Sequence, residues 1–361
     1  MSSVIRLISC NMERDGDREE PDEKFPAAWL EATTMIASLK GHAVLRQEMT
    51  HSPAGSRRLR AAEKILGMRG FVSPNNIGNN PTGMFLREDT FQDAEQHQRM
   101  FPWRTPPTIV HTRFTVAPEV RLTLGSVHHA YNDPGMRARE VGDITAYVDK
   151  LKRREHLILG GDHNESPLPQ GEPTPSIDWA SPEITDDVHR LHRTVEIPHS
   201  LRTRALHRMR HLLPGPHPRL APRRVSCSYL DQTLLEAGMH DAARYHATNR
   251  GNRLCQGPTA GHASNAKGQG GPQRIDRIYL DPWLTTAVIN VQVIDISGLS
   301  DHHAVVVDLS ARGMAKSPRT RAFSISRAEA FGVFVDVTPT EFQEIHEGTH
   351  TRWWHSPARS A

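Results

Sequence analysis

The chain opens on a mostly apolar run, residues 4–10, that stops at Asn11. Runs of the same kind recur at 43–45, 84–86, 108–116, 120–127, 156–159, 275–280, 288–294 and 303–309. They are short, nearly continuous and often rich in Val and Ile, as strands covered on both faces are. Between them the apolar spacing changes to that of a helix. Residues 27–40 offer Trp29, Met35, Ile36 and Leu39 as core contacts, and residues 56–68 form a basic amphipathic pattern capped at Ser56. Residues 137–153 and 230–237 are helical as well, the second stopped by Gly238. Strands alternating with helices in both halves predict an α/β sandwich of two sheets with helices outside.

The pattern weakens over 167–225, a stretch rich in Pro, His and Arg that reads as a surface insertion with one or two short helices. Residues 249–273 read as a polar, Gly-rich loop, and beyond Gly313 the core pattern ends. The chain therefore divides into a main domain, residues 1–312, with a basic insertion at about 168–225, and a C-terminal appendage, 313–361. A short strand at 333–335 and an exposed tail carrying Trp353 and Trp354 are expected in the appendage.

Composition narrows the class without naming it. A length of 361 residues with 37% hydrophobic and 24% charged residues suits a globular core. A net charge of +3 excludes a strong global positive field, although the basic side is mostly Arg, whose planar fork matches phosphate. Three cysteines with no C-x-x-C spacing predict free thiols and a reducing compartment. The N-terminus carries no apolar signal region, and no stretch approaches a membrane span. The expectation is a soluble, cytoplasmic monomer without stable membrane association.

The candidate chemistry sits at the ends of the apolar runs: Asn11, Gln47-Glu48, His128-His129, Gly161-Asp162-His163-Asn164, Arg274-Ile275-Asp276 and Ser300-Asp301-His302. Polar groups placed repeatedly at strand ends build one pocket on the rim of a sheet. Glu48 can hold a hard cation, with Asp301 as a second ligand and Asn11 orienting Glu48 or touching the metal. Magnesium, or manganese in its place, needs only one or two protein carboxylates because it keeps several waters. Asp162 and Asn164, two apart, share a face in extended chain, so one can take a proton from water while the other positions a phosphate oxygen. His302 exchanges protons near neutral pH, and Asp276 is its natural orienting partner. His128 offers a second imidazole for a phosphate oxygen or a leaving group. Singly these signals are weak in a chain with 22 histidines.

Taken in order, the six groups make the chain resemble the endonuclease/exonuclease/phosphatase superfamily over roughly residues 1–312. This superfamily contains pancreatic-type deoxyribonuclease, AP endonucleases, neutral sphingomyelinases and inositol polyphosphate 5-phosphatases. The resemblance implies a four-layer α/β sandwich, two mostly antiparallel or mixed sheets packed face to face, and a divalent-metal phosphodiesterase or phosphatase. It implies Glu48 as main metal ligand with Asn11 and Asp301 in support, and Asp162 activating water. It further implies Asn164 on the scissile phosphate, His302 paired with Asp276, and His128 beside the leaving group. Three departures stand out: His163 replaces the usual aromatic between Asp162 and Asn164, Cys10 replaces the usual Trp before Asn11, and Gly270-Gly271-Pro272-Gln273 lacks the aromatics that AP endonucleases carry there. The last argues against abasic-site recognition, whereas Glu13 matches their acidic residue two after the Asn.

The expected substrate is a phosphodiester, nucleic acid first. The basic stretch 189–224 could follow a phosphate backbone, and Tyr131, Trp103 or Trp179 could stack bases or serve as core contacts. Arg137 and Arg139 could reach a phosphate from the first turn of their helix or lie exposed. Two other readings stay open: a phosphatase or phosphodiesterase for a lipid headgroup or small metabolite, and a non-catalytic binding protein on the same scaffold.

Overall fold

The computed structural model describes residues 4–16, 25–74, 80–97, 102–152, 154–169, 176–196, 224–262 and 264–315. The strand expected at 333–335, Trp353, Trp354 and most of the basic stretch 189–224 lie outside them.

Two six-stranded sheets form the frame. The first comprises β1 (Val4–Asn11), β2 (Ala43–Gln47), β3 (Arg69–Val72), β4 (Gly83–Leu86), β13 (Val288–Ile294) and β14 (Ala304–Ser310), in the order β13-β14-β1-β2-β4-β3. The second comprises β5 (Phe91–Gln96), β6 (Thr108–Phe114), β7 (Ala117–His128), β8 (Glu155–Asp162), β11 (His240–Asp241) and β12 (Asp276–Leu280), in the order β11-β12-β8-β7-β6-β5. Each sheet has one parallel pair, β1–β2 and β7–β8, and is otherwise antiparallel.

The period of two along each strand sorts residues between layers. Ile5, Leu7, Leu45, Leu122, Leu124, Ile158, Ile278, Val305 and Val307 meet in one core between the sheets. The alternate residues Ile8, Val44, Phe85 and Val306 pack under the helices Ala27–Ser38 and Arg57–Leu66. Leu157, Leu159 and Tyr279 do the same under the helices Pro134–Lys150 and Tyr229–Glu236. Helices outside, two sheets inside: the four-layer α/β sandwich expected from the sequence is the architecture of the chain.

Cap chemistry matches the start expected at Ser56, whereas the helix expected from Arg137 begins three residues earlier, at Pro134. Ser56 accepts from the Leu59 N–H and Asp133 from the Met136 N–H, closing first turns that would otherwise leave amides unpaired. Gly160 and Gly161 do not form a tight exit, as a Gly-Gly pair suggests, but lie inside β8. A Cβ at Gly160 would sit 2.5 Å from Leu45 of the facing sheet, and one at Gly161 would sit 1.9 Å from the Val127 carbonyl. These glycines let the layers close beneath the site. The left-handed turn falls at Asn164, with φ 51°.

The insertion is folded where it is described. It carries a helix, Asp187–Arg193, and a two-stranded ribbon of β9 (Thr194–Glu196) and β10 (Arg224–Ser226), with Trp179 and Ile184 buried. At the other end, Met314 is buried in the inter-sheet core. Among the described residues no helix is long and apolar enough to cross a membrane.

Candidate active site

The inner-face alternation that buries Leu7, Leu45, Leu124, Ile158 and Ile278 continues to the rim, where the side chains turn polar. Asn11 lies two strand steps past Leu7, His128 past Leu124 and Asp162 past Ile158, each at a strand's C-terminal end. β12 runs antiparallel to β8, so it brings its N-terminal residue, Asp276, to the same edge. The register aligns His128 with Asp162 and Asp162 with Asp276 across three strands. β14 is antiparallel to β1 and delivers Ser300-Asp301-His302 just before its first residue. The two sheets are tied at this rim by Gln47 Nε2 donating to Ser126 Oγ at 3.0 Å and Ser126 Oγ donating to the Arg46 carbonyl at 2.8 Å.

Asn11, Glu48, His128, Asp162, Asn164, Asp276, Asp301 and His302 meet here. Asn11 Nδ2 faces Glu48 Oε1 at 3.2 Å and Asp162 Oδ2 at 3.3 Å. Its Oδ1 accepts from the Glu13 N–H. Glu48 stands just past β2 with φ 57°, a left-handed backbone that costs a non-glycine residue about 1–3 kcal/mol. Its Oε2 accepts the Arg14 N–H at 2.8 Å. Asp162 Oδ1 accepts the Asn164 N–H at 2.8 Å, and its Oδ2 lies 3.6 Å from His128 Nε2 and 3.8 Å from His302 Nε2. His302 Nδ1 bonds Asp276 Oδ2 at 2.8 Å, and Thr259 Oγ1 accepts the Asp276 N–H. Asp301 is 47% exposed at the mouth, 3.9 Å from His302 Nε2. Ser300 Oγ donates to the Asn11 carbonyl at 2.9 Å and pins this segment to β1.

The electrostatics follow from burial and neighbours. Burial alone would raise Asp162, but the imidazoles of His302 and His128, with Arg193, hold it below its ordinary value and therefore ionised. Burial works against charge on His302, but Asp276 and Asp162 outweigh it and push the imidazole up to about 10. His129 and His163 are held well below the usual histidine value, chiefly by burial. They pack edge to face in a buried series from Trp103 through His129 and His163 to Tyr279. His163 is thus a neutral ring in an aromatic layer, which explains why it can replace an aromatic residue. Burial likewise pushes the Cys10 thiol up to about 12, making it an inert filler beside Asn11.

In metal-free protein, His302 is expected to stay charged through about pH 8, while His129 and His163 stay neutral well below the pH at which an ordinary histidine takes its proton. Nitrogen-detected imidazole titration reads both. The folded value of His302 lies above the unfolded value of about 6.5, so its contribution to stability is complete below that pH and disappears as pH rises toward about 10. A His302 ring that loses its charge by about pH 7 would contradict the ion-pair geometry.

The donor set suits a hard divalent cation. Glu48, ionised Asp162 and Asp301 offer carboxylate oxygens around a pocket, and the buried Asp276 Oδ1 has no hydrogen-bond partner. Asp162, Asp276 and His302 offer ligand atoms all within 4.8 Å of one another. Within that trio the 2.8 Å bond commits His302 Nδ1 to Asp276, which leaves the oxygens on the Glu48 side of Asp162 as the better place for a divalent cation.

Other candidates fall away from the site. Arg137 does not reach a phosphate: it is fully buried and spends its guanidinium on Glu165, the Ala130 carbonyl and the His192 carbonyl. Trp103 and Trp179 are core residues bonded to Asp143 and Ser226. Tyr131 stays 49% exposed, with Arg104 over its ring at 5.1 Å. One residue in the pocket escaped individual notice in the sequence. Arg193, the last residue of the insertion helix, donates from Nη2 to Asn164 Oδ1 at 2.7 Å. Only its position in a basic stretch hinted at it.

No family model matches the sequence, and no curated protein does. Solved structures do. A 3'-5' exonuclease from Neisseria meningitidis superposes with TM-score 0.51 at 15% identity, covering 85% of this chain and all of its own. An AP endonuclease from Archaeoglobus fulgidus gives 0.51 at 15% identity, covering 84% and 98%. A Neisseria 3' phosphatase bound to product DNA hairpin gives 0.51 at 14% identity, covering 84% and 99%. The chain has the fold of the endonuclease/exonuclease/phosphatase superfamily.

Proposed function

We propose that this protein is a divalent-metal-dependent phosphodiesterase whose substrate is nucleic acid, DNA first. The observation that carries the reading is the convergence of Glu48, Asp162, Asn164, His128 and the Asp276–His302 pair on one rim, from strands far apart in sequence. A phosphodiester is anionic and repels a nucleophile. Glu48 and Asp162, supported by Asp301 and oriented by Asn11, would hold the cation, which neutralises charge on the phosphate oxygens and makes a bound water more acidic. Magnesium, or manganese, is the ion this oxygen-rich set favours.

The chain's own groups supply the rest. Asp162, kept ionised, accepts one proton of the attacking water. The water oxygen bonds phosphorus as the ester P–O bond breaks, and the leaving oxygen gains a proton at the histidine side of the pocket. The His302 imidazolium, fixed by Asp276, and the Asn164 amide donate to the oxygens on which charge accumulates. His128 Nε2, 3.6 Å from Asp162 and 3.9 Å from Glu48, lies within reach of the leaving group's side. Tyr131, exposed three residues beyond His128 with Arg104 beside it, supports a nucleic-acid substrate, because an aromatic face and a guanidinium accept bases of any sequence. The three free, buried thiols support a reducing compartment.

A substrate panel tests this. Magnesium-dependent nicking of plasmid DNA that stops with chelator and in a His302→Ala variant is the expected result. Turnover restricted to a small phosphate ester or a lipid headgroup would replace the substrate assignment while keeping the chemistry. No hydrolysis of any ester would leave a binding protein on this scaffold.

A further inference from the structure

The insertion places one cation inside the pocket. Arg193 ends the helix Asp187–Arg193, and the backbone there is fixed on both sides of the peptide. Arg137 Nη2 donates to the His192 carbonyl at 2.7 Å, and the Cys227 N–H donates to the Arg193 carbonyl at 2.8 Å. The β9–β10 ribbon then carries the chain away. With its backbone held, the Arg193 side chain turns to Asn164 Oδ1. Asn164 Nδ2 donates one hydrogen to the His129 carbonyl at 2.9 Å, leaving a second N–H on the same amide. The two side chains therefore present a joined set of donors beside Asp162.

Arg193 does not use all of its own donors. Nε and Nη1 have no hydrogen-bond partner and are out of contact with water. An unpaired buried donor costs about 1–3 kcal/mol and more when charged; Arg277 also leaves Nε and Nη2 unpaired, so what sets Arg193 apart is its bond to Asn164 beside Asp162. Burial also works against its charge, pushing the guanidinium down to about 10, with Asp162 as the main counterweight. Arg137, the neighbouring buried arginine, shows the contrasting case: its three nitrogens are all satisfied by protein.

We propose that Arg193 contacts the substrate, its guanidinium joining the Asn164 amide in a clamp for a nonbridging oxygen of the scissile phosphate. The inference rests on the phosphodiesterase reading and deepens it by assigning the insertion a place in the active site. Nε and Nη1 are shut off from solvent, so the side chain must rotate toward the Asn164 amide for an anionic phosphate there to supply the partner that the fork lacks, and the resulting bond is charge-assisted on both sides. With the backbone held on either side, only the side chain has to reorder when substrate arrives.

The test uses the full chain with magnesium present. R193A is expected to lose about 10²-fold in kcat/KM, the scale for removing one preorganised donor from a developing anion. Added guanidinium ion should recover at least about tenfold of that loss, and urea, its neutral analogue, none. Calorimetry with inorganic phosphate should show weakened binding in both R193A and R193K, because lysine supplies charge without the fork. R193K also covers the case in which R193A does not fold. A loss under about threefold, or a loss that guanidinium does not relieve with phosphate affinity unchanged, makes Arg193 only a strut for Asn164 and overturns the proposal. His302→Ala separates the two failures. If that variant is inactive while R193A is not, the clamp alone is wrong; if wild type hydrolyses nothing, the phosphodiesterase reading falls and the clamp with it.

Discussion

Asp162→Asn should lower metal-dependent phosphodiester hydrolysis by about 10²–10⁴-fold, the range for removing a positioned acid–base group. The substitution keeps the size and shape of the side chain, so the loss reads charge and proton acceptance rather than packing. Asp162 is the hub of the rim. It accepts the Asn164 N–H on one oxygen, while the other faces the Asn11 amide, His128 and His302. An asparagine that keeps an oxygen toward the Asn164 N–H must point its NH2 at those donors, replacing an attraction by a donor–donor conflict. At saturating magnesium the fall should appear in kcat, with KM for substrate changed by less than about threefold, because the group acts on the reacting water and the cation rather than on the substrate. Circular dichroism should be unchanged. A variant within about threefold of wild-type kcat would remove Asp162 from the chemistry and leave the rim without an evident base.

The site was legible because its residues obey the same rule as the core. A strand that alternates into a buried layer carries its next inward side chain to the rim, so Asn11, His128 and Asp162 follow from Leu7, Leu124 and Ile158 by counting in twos. What counting could not supply is pairing. That β12 and β14 run antiparallel to their neighbours, and so bring starting residues rather than final ones to the edge, is a matter of long-range register. The Asp276–His302 partnership was inferable from chemistry, and its 2.8 Å geometry bears that out.

The less legible parts have physical reasons. Asn11 could have turned either end of its amide toward the pocket; the Glu13 N–H holds its oxygen, and its NH2 faces Glu48 and Asp162. Arg137 could have reached a phosphate or lain exposed from its helix position, yet Glu165 and two carbonyls satisfy it entirely within the fold. Arg193 was hidden in a Pro-, His- and Arg-rich stretch with no periodicity, because its position depends on anchors from Arg137 and Cys227 rather than on its own sequence. The left-handed residues at Glu13, Arg14 and Asp15 gave no signal at all, since none is glycine.

That last segment yields the largest expected effect on stability. Asp15 is fully buried; it accepts from Arg46 at 2.9 Å, Ser52 at 2.6 Å and Trp29 at 3.2 Å, and its carbonyl accepts from Arg58 at 3.1 Å. Asp15→Ala leaves Arg46, only 1% exposed, without its acid, which should cost about 3–5 kcal/mol as for other broken buried pairs. The same bonds hold the left-handed turn whose Arg14 N–H fixes Glu48, so magnesium affinity should fall as well, by about tenfold, as when a group that orients a ligand is lost. Asp231→Ala provides the comparison. Asp231 is equally buried and engages Arg244, the Tyr279 hydroxyl at 2.6 Å and the Leu168 N–H at 2.7 Å, but it does not touch the rim. It should lose a similar amount of stability in urea and keep magnesium affinity within about twofold. If calorimetry finds Asp15→Ala binding magnesium like wild type, the turn is a structural staple and Glu48 holds its strained backbone without it.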